Sequence, residues 1–304
     1  MTPNGEPVGT ARAARAGERV RPSAGRREVP ARHVRIDHHG VLPKHFVGGD
    51  LVMSHVVAVL SATFPNGEDF FVRSVRAYRD RIDDPELRMQ VRGFSAQESL
   101  HGREHRAFNA RLAELGYPTP VIDRLVEGAL RGADRVLPAS YRLAITAALE
   151  HYTATLAEVM LRDQDAREML SADEVLHLLA WHAVEEYEHK AVAFDVFQTV
   201  SANHRVRTGV MNAVTAGFVG GVVLFTALSL VTDRAARSPR RLARSVAQLR
   251  RSPFLAAPVR RKIRDYNRRD FHPDDHHDPE LLAHWRIELF SSTGMLAGQL
   301  ERSA

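Results

Sequence analysis

Apolar residues recur at three- and four-residue steps through most of this chain, the period of helices that bury one face. From about Ala172 to Ala202, Val175, Leu178, Leu179, Ala193, Val196 and Val200 form one such stripe, interrupted by His182, Glu186 and His189. These three lie at i, i+4 and i+7 and share one side of the predicted helix. A helix from about Pro85 to Leu115 repeats the pattern, with Glu98 and His101 set among Val91, Phe94, Phe108 and Leu112. Glu68 opens a third helix, with Phe71, Val75, Tyr78 and Ile82 on its face, after a turn expected at Pro65-Asn66-Gly67. Glu150 lies on a fourth, from about Ser140 to Arg162, among Leu143, Thr146, Thr153, Ala157 and Met160.

The acidic positions match in height. Glu68 and Glu98 each stand 15 residues from the turn at Asp83, about 22 Å along an antiparallel pair at 1.5 Å per residue. Glu150 and Glu186 each stand 18 residues from a connection centred near position 168. A charged carboxylate buried between imidazoles costs several kcal/mol unless something neutralises it, and a divalent metal does so while taking the ring nitrogens as ligands. A buried His/Glu hydrogen-bond cluster is the bland alternative for one helix taken alone. Four helices supplying two single glutamates and two Glu-x-x-His pairs fit a bundle that holds two metals. The expected fold is therefore an all-α four-helix bundle with a dinuclear metal site.

The order Glu68, Glu98-x-x-His101, Glu150, Glu186-x-x-His189 resembles the ferritin-like di-iron carboxylate superfamily over roughly Glu68 to Lys190. With His182 added, the fourth helix is similar to that of the p-aminobenzoate N-oxygenases, where it contributes a third histidine. The runs FPNGEDFF (Phe64–Phe71), QESLHGREH and WHAVEEYEHK also resemble a bacterial family described as predicted metal-dependent hydrolases. The ligand set does not by itself imply hydrolysis. One departure is that Glu68 follows Pro65-Asn66-Gly67, at a helix start rather than mid-helix. The resemblance implies a metal shell of Glu68, Glu98, His101, Glu150, His182, Glu186 and His189, with Glu98 and Glu186 as the catalytic carboxylates.

At 304 residues and 44% hydrophobic composition, the chain can bury a core of which the bundle takes about half. It has no cysteine, which excludes disulfides, thiolate metal sites and a cysteine nucleophile and is compatible with the cytoplasm. Carboxylates and imidazoles suit two iron ions, with manganese or zinc as alternatives, and are too rich in histidine for calcium. His105, four residues after His101, is expected to support the ligands by hydrogen bonding. Glu185 and His151 point about 100° away from the site and are expected in solvated or interhelical contacts. His45 and His55 are read as structural histidines.

The net charge of +5 is unevenly placed. Residues 1–36 read as a disordered basic arm without a secretory signal. The bundle occupies 37–204, and a short connecting helix is expected over Val121–Arg131. Within 205–233, Gly209–Thr232 carries no charge over 24 residues, long enough to embed in or lie on a membrane. Its Gly217-x-x-x-Gly221 would admit a close partner helix, so a homodimer is an alternative. Residues 234–304 form a basic tail of amphipathic helices broken near Pro253, suited to an anionic lipid surface and lacking any nucleic-acid recognition motif. The last helix is expected over Pro279–Leu300, after a polar turn at 271–278.

The expected function is a di-iron enzyme that uses O2 and an electron donor to oxidise or oxygenate an apolar, lipid-derived or amine substrate, located in the cytoplasm, peripheral or integral at the inner membrane face. A metal-dependent hydrolase is the alternative, and a non-catalytic metal-binding membrane-associated protein the third reading.

Overall fold

Helix α1 (Leu51–Arg76) starts at Asp50, whose carboxylate accepts the Met53 N–H, and runs unbroken through Pro65. The computed structural model describes residues 27–38, 40–170 and 172–301. The turn expected at Pro65-Asn66-Gly67 is not formed, so Glu68 stands mid-helix. Proline has no N–H to give the carbonyl of Ser61, but Asn109 Nδ2 donates to that carbonyl at 2.9 Å and the helix continues. Helix α2 (Pro85–Glu114) begins with proline at its first position behind the Asp84 cap and ends at Gly116, whose φ of +87° favours glycine. Helix α3 (Thr119–Val136), longer than the expected connection, packs on α1 and α2 and leads into α4 (Ala139–Arg162).

After the short α5 (Gln164–Glu168) comes α6 (Asp173–His189). The single helix expected to reach Ala202 breaks at Lys190 and Ala191, where the Lys190 amine bonds the His276 carbonyl at 3.2 Å, and resumes as α7 (Val192–Val200). Helix α8 (His204–Val231) comes next, then α9 (Pro239–Leu249), α10 (Ala257–Asp265) and α11 (Pro279–Phe290). α11 stops short of Leu300. The Ser291–Gly294 turn folds the chain back, and the Met295 N–H bonds the Glu288 carbonyl at 2.8 Å. Among the described residues the fold is all-α, with eleven α-helices and no strand beyond an isolated bridge between Val34 and Leu300.

The bundle consists of the hairpin α1/α2 and the pair α4/α6, packed side by side, with α7 continuing α6 against α4. Its core is two apolar clusters. One holds Phe46, Phe108, Trp181 and Trp285, the other Phe70, Phe94, Phe194 and Phe197. Along α2, Glu98 lies between Phe94 of one cluster and Phe108 of the other. Glu186 on α6 and Glu150 on α4 occupy the same boundary, so a polar layer crosses the core.

The arm expected to be disordered through residue 36 is packed from residue 27 onward, while residues 1–26 lie outside the described residues. Val34 and Ile36 are buried among Phe46, Phe108 and Leu112. The strap presses on α2 at Gly93, where any side chain would collide with the Val29 carbonyl.

Candidate metal centre

Each helix of the bundle delivers its acidic or imidazole side chain to the polar layer. Glu68 comes from α1, Glu98 and His101 from α2, Glu150 from α4, and His182, Glu186 and His189 from α6, and all seven are buried. His189 Nε2 lies 3.0 Å from Glu98 Oε1, 3.3 Å from Glu150 Oε2 and 3.6 Å from Glu186 Oε1. His182 Nε2 lies 2.9 Å from Glu186 Oε1 and 3.8 Å from Glu68 Oε1, and His101 Nδ1 lies 3.8 Å from Glu186 Oε1. Glu186 is central, within reach of all three imidazoles. Glu98 groups with Glu68 and His101 on one side and with Glu186 and His189 on the other, so the cluster divides into two halves that share Glu98 and Glu186. Gly102 permits the approach of α1, because a Cβ there would stand 3.3 Å from Glu68 Oε2.

The chemistry of this donor set fits divalent cations. Both oxygens of Glu68, Glu98 and Glu150, with Glu186 Oε2, His101 Nδ1 and His189 Nε2, are buried without a hydrogen-bond partner. Leaving so many buried polar atoms unpaired would cost far more than the fold could sustain, whereas two divalent ions match the charge of four carboxylates. The protein's own charges reflect the crowding. Burial, reinforced by neighbouring carboxylates, pushes Glu68 and Glu150 well above the usual carboxylate range, and burial raises Glu98 as well. Burial works the same way on Glu186, but the imidazoles of His189 and His182 outweigh it and hold Glu186 well below that range. Burial would lower His189, yet Glu186 and Glu150 raise it well above the usual value.

Each imidazole is turned by a partner on its far side. His101 Nε2 donates to Glu185 Oε2 at 3.0 Å, which leaves Nδ1 facing the cluster. His189 Nδ1 donates to Gln97 Oε1 at 2.8 Å, which leaves Nε2 facing it. His182 Nδ1 meets His105 Nε2 at 2.7 Å. The polarity of that last bond is set from Pro65. The Ser61 carbonyl can only accept, so Asn109 presents Nδ2 to it and Oδ1 to the Ser61 hydroxyl, which donates at 2.7 Å. Ser61 Oγ must then accept from His105 Nδ1, at 2.9 Å, and His105 Nε2 must accept from His182 Nδ1. With Nδ1 turned to His105, His182 presents Nε2 to Glu186 Oε1, 2.9 Å away.

A second ring of charge lies behind these partners. Arg32, from the strap, contacts both oxygens of Glu188 at 2.8 and 2.7 Å and Glu185 Oε1 at 3.1 Å. Gln97 Nε2 donates to Glu188 at 2.9 Å, and Arg286 of α11 donates to Glu188 at 2.7 Å. Arg32, Gln97 and Glu188 were not singled out by the sequence, and Glu185, expected in a solvated or interhelical contact, makes an interhelical one to His101. The available signal was the density of acids in WHAVEEYEHK, which is too many for one face. His105 does support a ligand candidate, though through His182 rather than a carboxylate. His151 donates to the Lys262 carbonyl at 2.8 Å, the interhelical contact expected of it. His45 and His55 lie outside the cluster and share Asp233 Oδ2, at 2.9 and 3.2 Å.

Residues 30–277 match the family described as predicted metal-dependent hydrolases. The chain belongs to that family. The match spans the strap from before Arg32, all seven clustered residues and helices α1 to α10, and stops before α11. No curated protein and no solved structure matches the chain, so the likeness to di-iron N-oxygenases rests on the pattern of glutamates and histidines alone. Family membership and the buried His/Glu groups together suggest metal dependence.

Proposed function

We propose that the cluster holds two metal ions and that the protein is an O2-dependent oxidase or oxygenase acting at that centre. The observation that carries the reading is the convergence of seven buried side chains, six of which carry at least one buried polar atom without a hydrogen-bond partner. Glu68, His101 and His182 would hold one ion, Glu150 and His189 the other, and Glu98 and Glu186 both. Bound iron would supply the oxidising chemistry, with an external electron donor. The chain's own part is ligation, exclusion of water and orientation. The four carboxylates would balance the charge of two bound divalent ions. Aromatic rings wall the imidazoles: Phe64 stands 4.8 Å from both His105 and His182, Trp181 4.9 Å from His101 and Phe94 5.0 Å from His189. That apolar lining suits an apolar or amine substrate.

Hydrolysis is the second reading, and the family's description favours it. In that case the ions would activate water and polarise a carbonyl or phosphoryl oxygen. Seven protein donors leave few positions for water and substrate together, which is the reason for ranking oxidation first. Metal analysis of the purified protein, followed by anaerobic reduction and exposure to O2 under absorption monitoring, separates the two. A transient near-ultraviolet or visible band in the iron-loaded protein supports oxidation. Ester or phosphoester cleavage restored by zinc or manganese without O2 overturns it in favour of hydrolysis.

A further inference from the structure

Helix α8 has two unlike faces. The inner one packs along α1 and α4 and buries Arg207, Val210, Met211, Thr226 and Ser229. It is fastened at both ends. The Arg207 guanidinium donates to the carbonyls of Tyr266 and Arg268, each at 2.5 Å, and Ser229 Oγ lies 2.6 Å from His55 Nδ1. The outer face exposes Val219, Val223, Leu224, Leu228 and Val231, with glycine and alanine between them. α8 is the one helix among the described residues long and apolar enough to cross a membrane by length and composition, yet little of its apolar window is buried.

The segment after α8 is cationic. From Arg234 to Arg264 there are eleven arginines and lysines and no acidic residue, and Arg234, Arg237, Arg240, Arg244, Arg250 and Arg251 are exposed. An uncharged apolar face joined to a cationic segment calls for a partner that is apolar within and anionic at its surface. A second copy of this chain offers only the same uncharged face and the same cations.

We infer that α8 lies in the plane of an anionic bilayer, with its outer face in the headgroup and upper acyl region and the basic segment on the lipid headgroups. Crossing the bilayer is incompatible with this arrangement. It would strip the inner face from the bundle and break the bonds of the Arg207 guanidinium to the Tyr266 and Arg268 carbonyls. Shallow insertion leaves both fastenings in place, and the cations add long-range attraction within a Debye length. The inference stands independently of the metal chemistry.

The test is sedimentation of the full-length, metal-loaded protein with phosphatidylserine-containing and with purely phosphatidylcholine vesicles. Binding should need the anionic lipid, fall as salt rises, and be reversed by alkaline carbonate. Arg240→Gln with Arg244→Gln should weaken it by roughly fivefold for each arginine removed. Val223→Asn with Leu228→Asn should weaken it without altering its salt dependence. Unchanged metal content and helical circular dichroism show that these surface variants are folded. Equal binding to both vesicle types overturns the inference, as does protein retained in the membrane through alkaline carbonate. A Val223→Asn/Leu228→Asn variant that binds vesicles as before, but elutes as a monomer where the parent is a dimer, overturns it in favour of a copy interface.

Discussion

Asn109 Nδ2 donates at 2.9 Å to the Ser61 carbonyl that Pro65 leaves without its helical donor. This bond satisfies the carbonyl one turn before Pro65 in the helix that carries Glu68, and it starts the relay that fixes the proton on His182 Nδ1. Asn109→Ala should therefore cost about 1–2 kcal/mol in urea unfolding, the range for an orphaned buried carbonyl. Pro65→Ala restores an N–H at the right place in the helix. In the Pro65→Ala background the Asn109 substitution should cost much less, and an equal cost in both backgrounds would show that the bond does not compensate the proline.

His182 is the residue that distinguishes this cluster from a six-donor one. His182→Ala should leave the fold and most of the metal in place, since six donors remain, while lowering the histidine count seen by X-ray absorption from three to two. His105→Phe should weaken metal retention less than His182→Ala does, because it removes only the acceptor that orients the ring. An unchanged histidine count in His182→Ala would remove it from the donor set.

The convergence of the seven residues was legible because the helical period places Glu98, His101, Glu186 and His189 on stripes that must be buried, and equal distances from the turns set them level. What was not legible depends on contacts between distant segments. A Pro-Asn-Gly run is a turn signal locally, but here it is helical within a packed α1, with Asn109, on another helix, supplying the donor that Pro65 lacks. Glu185 and Glu188 lie off the apolar stripe and would be solvated on a bundle standing alone, but the strap and α11 cover that side of α6. Nothing marks Arg32 among the other arginines of the N-terminal stretch except its partner across the fold. The length of α11 was likewise set by the chain reversal at Ser291–Gly294.

Glu98 and Glu186 are the two carboxylates that both halves of the cluster share. Glu98→Ala and Glu186→Ala should each abolish binding of at least one metal ion per chain, measured by elemental analysis after desalting. Glu174→Ala, a change of the same type at the far end of α6 from the cluster, should not. Full metal content in both cluster variants would exclude the bundle centre as the metal site.

His151 supplies a pH-dependent contribution to stability. Burial, with the cations of His276 and Lys190 adding to it, lowers this imidazole to about 4, although its bond to the Lys262 carbonyl opposes the shift. The unfolded chain takes up a proton near 6.5 that the folded chain refuses until about 4, so the contribution is complete above pH 6.5 and is lost as the pH falls toward 4. The loss amounts to at most about 3 kcal/mol. His151→Gln can keep the bond to Lys262 and does not titrate. In metal-free protein, the stability difference between parent and variant should shrink or reverse in favour of the variant between pH 7 and pH 4.5, and a difference independent of pH would mean that His151 does not titrate in this window.

Arg32 joins the two carboxylates that stand behind the imidazoles. Glu185 holds His101, Glu188 reaches His189 through Gln97, and the guanidinium touches both acids while stacking 4.3 Å over the Phe290 ring. Burial already pushes Glu185 up to about 8 despite this cation. Removing the guanidinium leaves Glu188 with Arg286 and the Gln97 amide and takes from Glu185 its cation. Arg32→Ala should thus cost about 3 kcal/mol, the range for breaking a buried ion pair, and should speed metal loss to a chelator because His101 and His189 lose their fixed orientation. Arg32→Lys returns one charge without the fork that spans Glu188, so its metal loss should fall between those of the parent and the alanine variant. The lysine variant also guards against simple misfolding, since it can be compared at equal helical content. If both variants release metal at the parental rate, the strap is a packing element with no part in positioning the histidines.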